Sequence, residues 1–377
     1  MRIGIDARYL SHGLIGGVHT YIANFIPAVV EQARDHHIFL YADTKRPFEL
    51  SSLPTNVTVR YLPWHSPLSS IIHDLFMRNA MSRDQLDVVH FPANYGFGPP
   101  GTPTVITLHD AINLLPLSEI IRGHAKKPRA MAMMTYLHWC SRQTVRRASL
   151  VLTVSEYARQ EIARIGGIDS RKIVAVPHAP TSDLRRVEEP AILDDVRVRL
   201  GLPRSFILAD ALKNPAVLVR AWRRLPATLK EDRRIVFFSR RPDPLAIVHE
   251  SVSTDGAVLL VRPSREDLIA LYSMADAFVF PSWIEGFGIP LLEAMTCGCP
   301  VIASDRGAIP EVVGDAGLLS DAEDDQTLAA HLELLLTSPT KGSCLRERGY
   351  FRAAEFSWSK TAQHILDSYT HVVSRSR

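Results

Sequence analysis

The chain has 377 residues, 46% of them hydrophobic and 22% charged, a balance that excludes general disorder. At roughly 150 residues per domain the length suits two domains, or three. A net charge of +3, from 43 Lys plus Arg against 40 Asp plus Glu, is too small to mark a dedicated nucleic-acid binder. No repeat at a fixed period appears, and no apolar run approaches the roughly 18 residues of a membrane span. The opening Met1–Asp6 turns polar too soon for a secretion signal. The cysteines Cys140, Cys297, Cys299 and Cys344 are sparse, and Cys297-Gly-Cys299 has no second pair and no nearby His. They read as reduced thiols of a cytoplasmic protein, not as a zinc site.

In chain order, Arg2–Asp6 reads as a buried strand, and Gly16-Gly17 precedes a helix from Val18 through Val30. Further strands are predicted at Ile38–Tyr41, Val57–Tyr61, Val88–Phe91, Thr104–Leu108, Leu150–Val154 and Ile173–Val176. Ser155 is placed to cap a helix at Glu156–Ile165, which Gly166-Gly167 stops. A second series follows at Ser205–Ala209, Arg234–Ser239, Ala257–Val261, Ala277–Phe280, Pro300–Ala303 and Gly317–Leu319. Continuous apolar strands alternating with helices predict parallel sheets covered on both faces. The fold class is therefore α/β, with two Rossmann-like doubly wound domains facing a cleft. Residues 1–180 form the first domain, the Pro-rich and charged residues 181–200 a linker, and 201–355 the second domain. Residues 356–377 form a terminal helix packing back on the first. Ligands of such folds sit at the carboxyl ends of strands.

From Ile121 to Arg147 there are seven Lys or Arg residues and no Asp or Glu, interleaved with Met131, Met133, Met134, Tyr136, Leu137 and Trp139. This segment (121–147) reads either as a surface for anionic lipid headgroups or an acidic acceptor, or as a solvated helix with its Met and aromatic residues in the core.

The densest chemistry lies between Pro281 and Gly298. A strand ends in a Gly-containing loop, Pro290 opens a short helix and Gly298 stops it. Gly286 and Gly288 let a ligand approach the backbone, and the amides from Phe287 to Leu291 form an anion site at a helix N-terminus. Each such contact is worth only about 0.3–1 kcal/mol, so several must converge on a diphosphate. Glu285 before that site and Glu293 one turn beyond it can each accept paired hydroxyls, which suits a nucleotide sugar. The alternative is a loop whose Glu residues cap backbone or pair with Arg.

This stretch resembles the Glu-x7-Glu signature of the family 4 retaining glycosyltransferases, enzymes of the two-Rossmann-domain GT-B fold. The resemblance extends over nearly the whole chain, through Gly16-Gly17-Val-His-Thr-Tyr21, Thr107-Leu-His109-Asp110, Val154-Ser155-Glu-Tyr-Ala158, Val176-Pro177, Leu271–Asp276, Pro310–Gly317 and Phe356-Ser-Trp358. It implies that Glu285 contacts hydroxyls of the transferred sugar and Glu293 the ribose. The amides of Phe287, Gly288 and Ile289 would bind sugar and diphosphate, with Gly286 giving close approach. Gly16 and Gly17 match the family's N-terminal glycine loop, near phosphates and acceptor. His109 would face the anomeric centre with Asp110 structural; otherwise His109 is a buried histidine bonded to a carbonyl. Lys213 matches the lysine of the phosphate clamp. The clamp's usual Arg is missing, and Ala209-Asp210 stands where Gly-Arg is expected. Arg240 and Arg241, after the next strand, either supply that charge or are surface residues.

No P-loop, no nucleophile elbow and no Asp-x-Asp after a strand appears, and Asp321–Asp325 reads as the acidic start of a helix. Amides, a helix dipole and Lys213 can neutralise a leaving diphosphate, so neither metal nor cofactor is expected. The expected activity is retaining transfer of a hexose, first of all mannose from GDP-mannose, to a hydroxyl of a glycan or lipid-linked acceptor. The motif contexts resemble bacterial mannosyltransferases of polysaccharide and lipopolysaccharide assembly. A UDP-hexose donor, a non-catalytic nucleotide-sugar-binding partner subunit, and an epimerase on the same fold are the alternatives. The expected location is the cytoplasm, at the inner face of the plasma membrane.

Overall fold

The computed structural model describes residues 1–11, 17–45, 53–65, 69–122 and 128–376. They divide into two compact units, Met1–His178 with the segment from Trp358 onward, and Ala179–Ser357.

The first unit is built on β1 (Arg2–Asp6), β2 (His37–Asp43), β3 (Val57–Leu62), β4 (Val88–Phe91), β5 (Thr104–Leu108), β6 (Leu150–Thr153) and β7 (Ile173–Ala175). They form one sheet in the order β3-β2-β1-β4-β5-β6-β7, every neighbouring pair parallel. The second unit uses β8 (Ser205–Asp210), β9 (Arg233–Ser239), β10 (Val258–Val261), β11 (Ala277–Phe280), β12 (Val301–Ser304) and β13 (Gly317–Ser320). Its order is β10-β9-β8-β11-β12-β13, again parallel throughout. Parallel strands need helical crossovers that cover both faces, and β4, β6, β11 and β12 are buried at every position. This is the doubly wound α/β fold expected, with strand ends within two residues of those read from the sequence.

The segment read as a linker ends differently. Pro190–Leu200 is a helix of the second unit, begun by Pro190 in its first turn and stopped by Gly201. Its dense charges form pairs, Arg197 with Asp194 and Arg199 with Asp267, so charge density there marks a helix surface. The helix Trp358–Ser376 lies against Gly17–Gln32 in the first unit. Tyr369, fully buried on it, pairs through its hydroxyl with His90 Nδ1 at 2.6 Å. His90 Nε2 meets Thr107 Oγ1 at 2.8 Å, and that hydroxyl lies 3.3 Å from the Tyr21 hydroxyl. The terminal helix is thus joined to the sheet by a buried polar chain as well as by apolar packing.

Tyr369→Phe leaves a buried His90 nitrogen without its partner and is expected to lower the unfolding free energy by about 1–3 kcal/mol in a urea titration.

Candidate functional site

In each sheet the strand order reverses once, and the carboxyl ends on either side of the reversal border a crevice. In the second unit the reversal falls between β8 and β11. Beyond β8 the chain carries Lys213 and Asn214, and beyond β11 it carries Ser282 and Glu285. Lys213 Nζ donates to Glu285 Oε1 at 2.6 Å, and Ser282 Oγ donates to the same oxygen at 2.8 Å. Glu285 Oε2 has no hydrogen-bond partner among the described residues, so one oxygen anchors the carboxylate while the other stays open to a hydroxyl. Lys213 also sits over the Phe280 ring, 5.8 Å from its centroid.

The loop is fixed from behind. Asn214, in the left-handed region at φ 52°, donates through Nδ2 to the carbonyls of Pro281 at 3.0 Å and Ala322 at 2.7 Å. Ser304 Oγ donates to the Ser282 carbonyl at 2.6 Å, and the Ala308 amide to the Glu285 carbonyl at 3.0 Å. Gly307, at φ +61°, passes so close that a Cβ would stand 2.6 Å from the Glu285 carbonyl oxygen. Gly288, at φ +112°, opens the helix Ile289–Thr296, a backbone conformation that leaves room only for glycine. The amides of Gly288 and Ile289 have no partner among the described residues. Phe287 is buried, edge-on to Phe356 at 5.8 Å, while Gly286 is half-buried and Trp283 and Ile284 are exposed just before Glu285.

Glu293 lies inside the same helix, buried, and accepts from Arg265 Nη1 at 3.0 Å. Burial raises its pKa and Arg265 pulls it back down. Arg265 also holds Asp183 and Thr181, and it stands one residue past Ser264, which caps the helix Arg265–Met274 in a box with Asp267. Asp210, where an arginine was expected, is buried at the end of β8 and accepts from the Leu212 amide at 2.9 Å. Sequence reading missed Ser282, Gly307 and Arg265; only the capping box before Arg265 had a local signal.

The first unit brings His109 to the carboxyl end of β5. Its Nε2 donates to the Pro92 carbonyl at 2.9 Å, and its amide donates to Asn94 Oδ1 at 2.9 Å. The ring packs edge-on against Tyr21 and His178, with centroids at 4.9 and 5.5 Å. Burial pushes its pKa down to about 4 despite the Pro92 bond, so at neutral pH it is an uncharged imidazole with its proton on Nε2. The carbonyl-bonded geometry weighed as the alternative is therefore present, and it leaves Nδ1 as the acceptor. Asp110 Oδ1 accepts from the Ile112 amide, a turn-forming contact. Gly16 lies outside the described residues. Gly17 is the exposed first residue of its helix, where a Cβ would meet nothing within 4 Å.

A buried cluster unforeseen in the sequence occupies this unit's own reversal, between β1 and β4. Arg8 binds Asp6 at 2.7 Å and Asp74 at 2.8 Å, and Asp74 Oδ2 accepts from the hydroxyls of Tyr136 at 2.6 Å and Tyr95 at 3.2 Å. Tyr136 belongs to the helix Pro128–Arg147, whose Met133 and Trp139 are 54% and 55% exposed, not in the core.

The family model described as glycosyl transferases group 1 matches residues 209–352, and the one described as glycosyltransferase family 4 matches residues 15–180. The O-antigen chain mannosyltransferase B of Escherichia coli is 31% identical over 295 residues, 76% of this chain and 75% of that protein. Among solved structures, sucrose-phosphate synthase from Thermosynechococcus elongatus matches with a TM-score of 0.72 at 18% identity over 99% of each chain. HepE from Anabaena, solved with UDP-glucose, matches at 0.68 and 17% identity over 98% of this chain and 100% of that one. At those identities the two structures share the fold.

The buried histidines generate a pH dependence. Between the ordinary value of 6.5 and about 4, the unfolded chain binds the His109 proton and the folded one does not. Stability is therefore expected to fall as pH drops through that window, by up to about 1.4 kcal/mol per unit for each such histidine. His90, held at about 3, and His178, also pushed down by burial, act in the same sense. Urea titrations from about pH 7.5 to 4.5 should show a shallower fall in His109→Gln than in the wild type; identical slopes would refute the assignment.

Proposed function

Because the chain belongs to the group 1, family 4 glycosyltransferases, we propose that it moves a mannosyl unit from GDP-mannose to a hydroxyl of a glycan or lipid-linked acceptor, with retention at the anomeric carbon. The observation that carries this reading is Glu285, pinned through one oxygen by Lys213 and Ser282 with the other open, beside the amides that begin the helix at Gly288. A sugar hydroxyl suits the open oxygen. A diphosphate suits the helix N-terminus, where backbone dipoles point at the charge that develops as the anomeric bond breaks. The mannosyl donor is favoured by the likeness to the Escherichia coli mannosyltransferase.

In the reaction, the C–O bond to the diphosphate breaks as the acceptor oxygen approaches the same face, and the departing phosphate oxygen takes the acceptor's proton. Lys213, Gly288 and Ile289 act on the leaving group, Glu285 on the sugar, and Glu293, steadied by Arg265, on the ribose. Neutral His109 offers an uncharged face to the oxocarbenium-like sugar, along with the Gly16–Gly17 segment on the acceptor side.

A thermal-shift panel of GDP, UDP, ADP and their sugar conjugates tests the donor. Ligand at about 100 times its Kd adds about 2.7 kcal/mol, so selective shifts with GDP and GDP-mannose are expected. A shift with UDP-glucose alone would replace the donor. Glu285→Gln is expected to cut kcat at least about 100-fold with little change in GDP affinity, because the residue acts on the sugar. Turnover near the wild-type rate would remove Glu285 from the mechanism.

The helix Pro128–Arg147 supports a peripheral contact with the anionic inner face of the plasma membrane. It presents Met133 and Trp139 to solvent beside Arg129, Arg146 and Arg147, a mix suited to headgroup charge and interfacial apolar depth. No helix among the described residues is long and apolar enough to cross a membrane. Co-sedimentation with phosphatidylglycerol-containing vesicles and not with phosphatidylcholine vesicles is expected, and Trp139→Ala with Arg146→Glu and Arg147→Glu should reduce it. Equal binding to both lipids would refute an electrostatic contact.

A further inference from the structure

The charges at the carboxyl edge of the second sheet are mostly committed. Lys213 is bound to Glu285, and Arg265 is shared among Glu293, Asp183 and Thr181. Arg306 pairs with Asp321, and Arg241 faces Asp243 at 3.7 Å in solvent. A nucleoside diphosphate brings two to three negative charges, and a cation already paired with a carboxylate, as Lys213 is, attracts it less strongly than an unpaired one. Arg240 is different. It follows β9, next to β8, where Phe238 stands in register with Asp210. It is exposed and, among the described residues, its guanidinium has no hydrogen bond or ion pair. Yet its charge bears on both Asp210 and Glu293, opposing the burial that raises their pKa values. Arg240 therefore stands within electrostatic reach of carboxyls on two elements of the site, one from β8 and one from the helix after β11.

The backbone around it is held. Ser239 Oγ accepts from the Arg241 amide at 3.1 Å and donates to the Arg241 carbonyl at 2.8 Å, forming a turn that separates the two arginines. Arg262 Nε lies 3.4 Å from the Arg240 carbonyl oxygen, in a segment whose own φ of 52° is left-handed. The root of the side chain is thus fixed while its head is free, as a group awaiting an anion requires.

We propose that Arg240, and not Arg241, joins Lys213 in gripping the donor's diphosphate, taking from β9 the role that the end of β8 leaves to the acidic Asp210. The proposal rests on the glycosyltransferase reading above. A guanidinium can bind two phosphate oxygens at once, on either one phosphate or both.

Calorimetric titration with GDP, UDP and ADP tests it on the full chain. For whichever diphosphate the wild type binds, Arg240→Ala is expected to weaken Kd at least about tenfold, Arg240→Lys less, and Arg241→Ala hardly at all. The gap between wild type and Arg240→Ala should narrow as salt rises from about 0.05 to 0.5 M, since the lost contact is ionic. Unchanged affinity in Arg240→Ala, or a loss that ignores salt, overturns the assignment. If the wild type binds none of the three diphosphates, the donor reading itself fails. A melting temperature of Arg240→Ala close to that of the wild type without ligand is expected, because the exposed guanidinium makes no hydrogen bond or ion pair among the described residues.

Discussion

The arrangement of the second unit depends on β8 pairing in parallel with both β9 and β11. The chain runs outward from β8 through β9 and β10, then crosses back to place β11 on the other side. The connections that leave β8 and β11 diverge, so their carboxyl ends border a crevice. Lys213 and Glu285, 72 residues apart in sequence, meet across it at 2.6 Å. Asn214 performs the matching backbone task, joining the end of β8 to Pro281 and Ala322. Without the reversal of strand order, neither contact could form.

Around this crevice Glu285, Glu293 and Asp210 are each held through one oxygen. Glu293 holds Arg265, Asp210 receives an amide, and in the first unit Asp6 and Asp74 share Arg8. Removing such charges from water is costly, and a hydrophobic cluster of equal volume would be no less stable. What the polar clusters contribute is direction: Arg8 orients Asp74, which orients Tyr136, and Ser282 with Lys213 orient Glu285. The open oxygen of Glu285 is thus positioned by hydrogen bonds to its partner oxygen from groups on two separate elements.

At the end of β5 the first unit uses neutral rather than ionic polarity. His90, His109 and His178 are packed with Tyr21, Phe25, Tyr369 and Trp358 where burial favours the uncharged imidazole. Two of these rings come from the helix Trp358–Ser376, so the last segment of the chain completes the surroundings of a residue at the end of β5. His109 is thereby held as a fixed, uncharged dipole, its proton committed to Pro92.

By itself the sequence determined the doubly wound α/β fold, the thirteen strands of the described residues to within two residues, and the Pro281–Gly298 stretch with Glu285, Gly288 and Glu293. Those are local properties: continuous apolar runs at strand length, caps at helix ends, glycines where φ turns positive. It also showed that the end of β8 lacks an expected arginine. Only the tertiary structure decided which residues meet. Lys213 with Glu285, Arg265 with Glu293, Gly307 behind Glu285 and Arg8 between Asp6 and Asp74 are joined by crossovers that bring distant segments together, and no periodicity records such a pairing. The same holds for the charges in 181–200 and the apolar residues in 121–147. Composition does not distinguish a linker from a helix surface, or a core methionine from an exposed one, because burial depends on what the rest of the chain packs against.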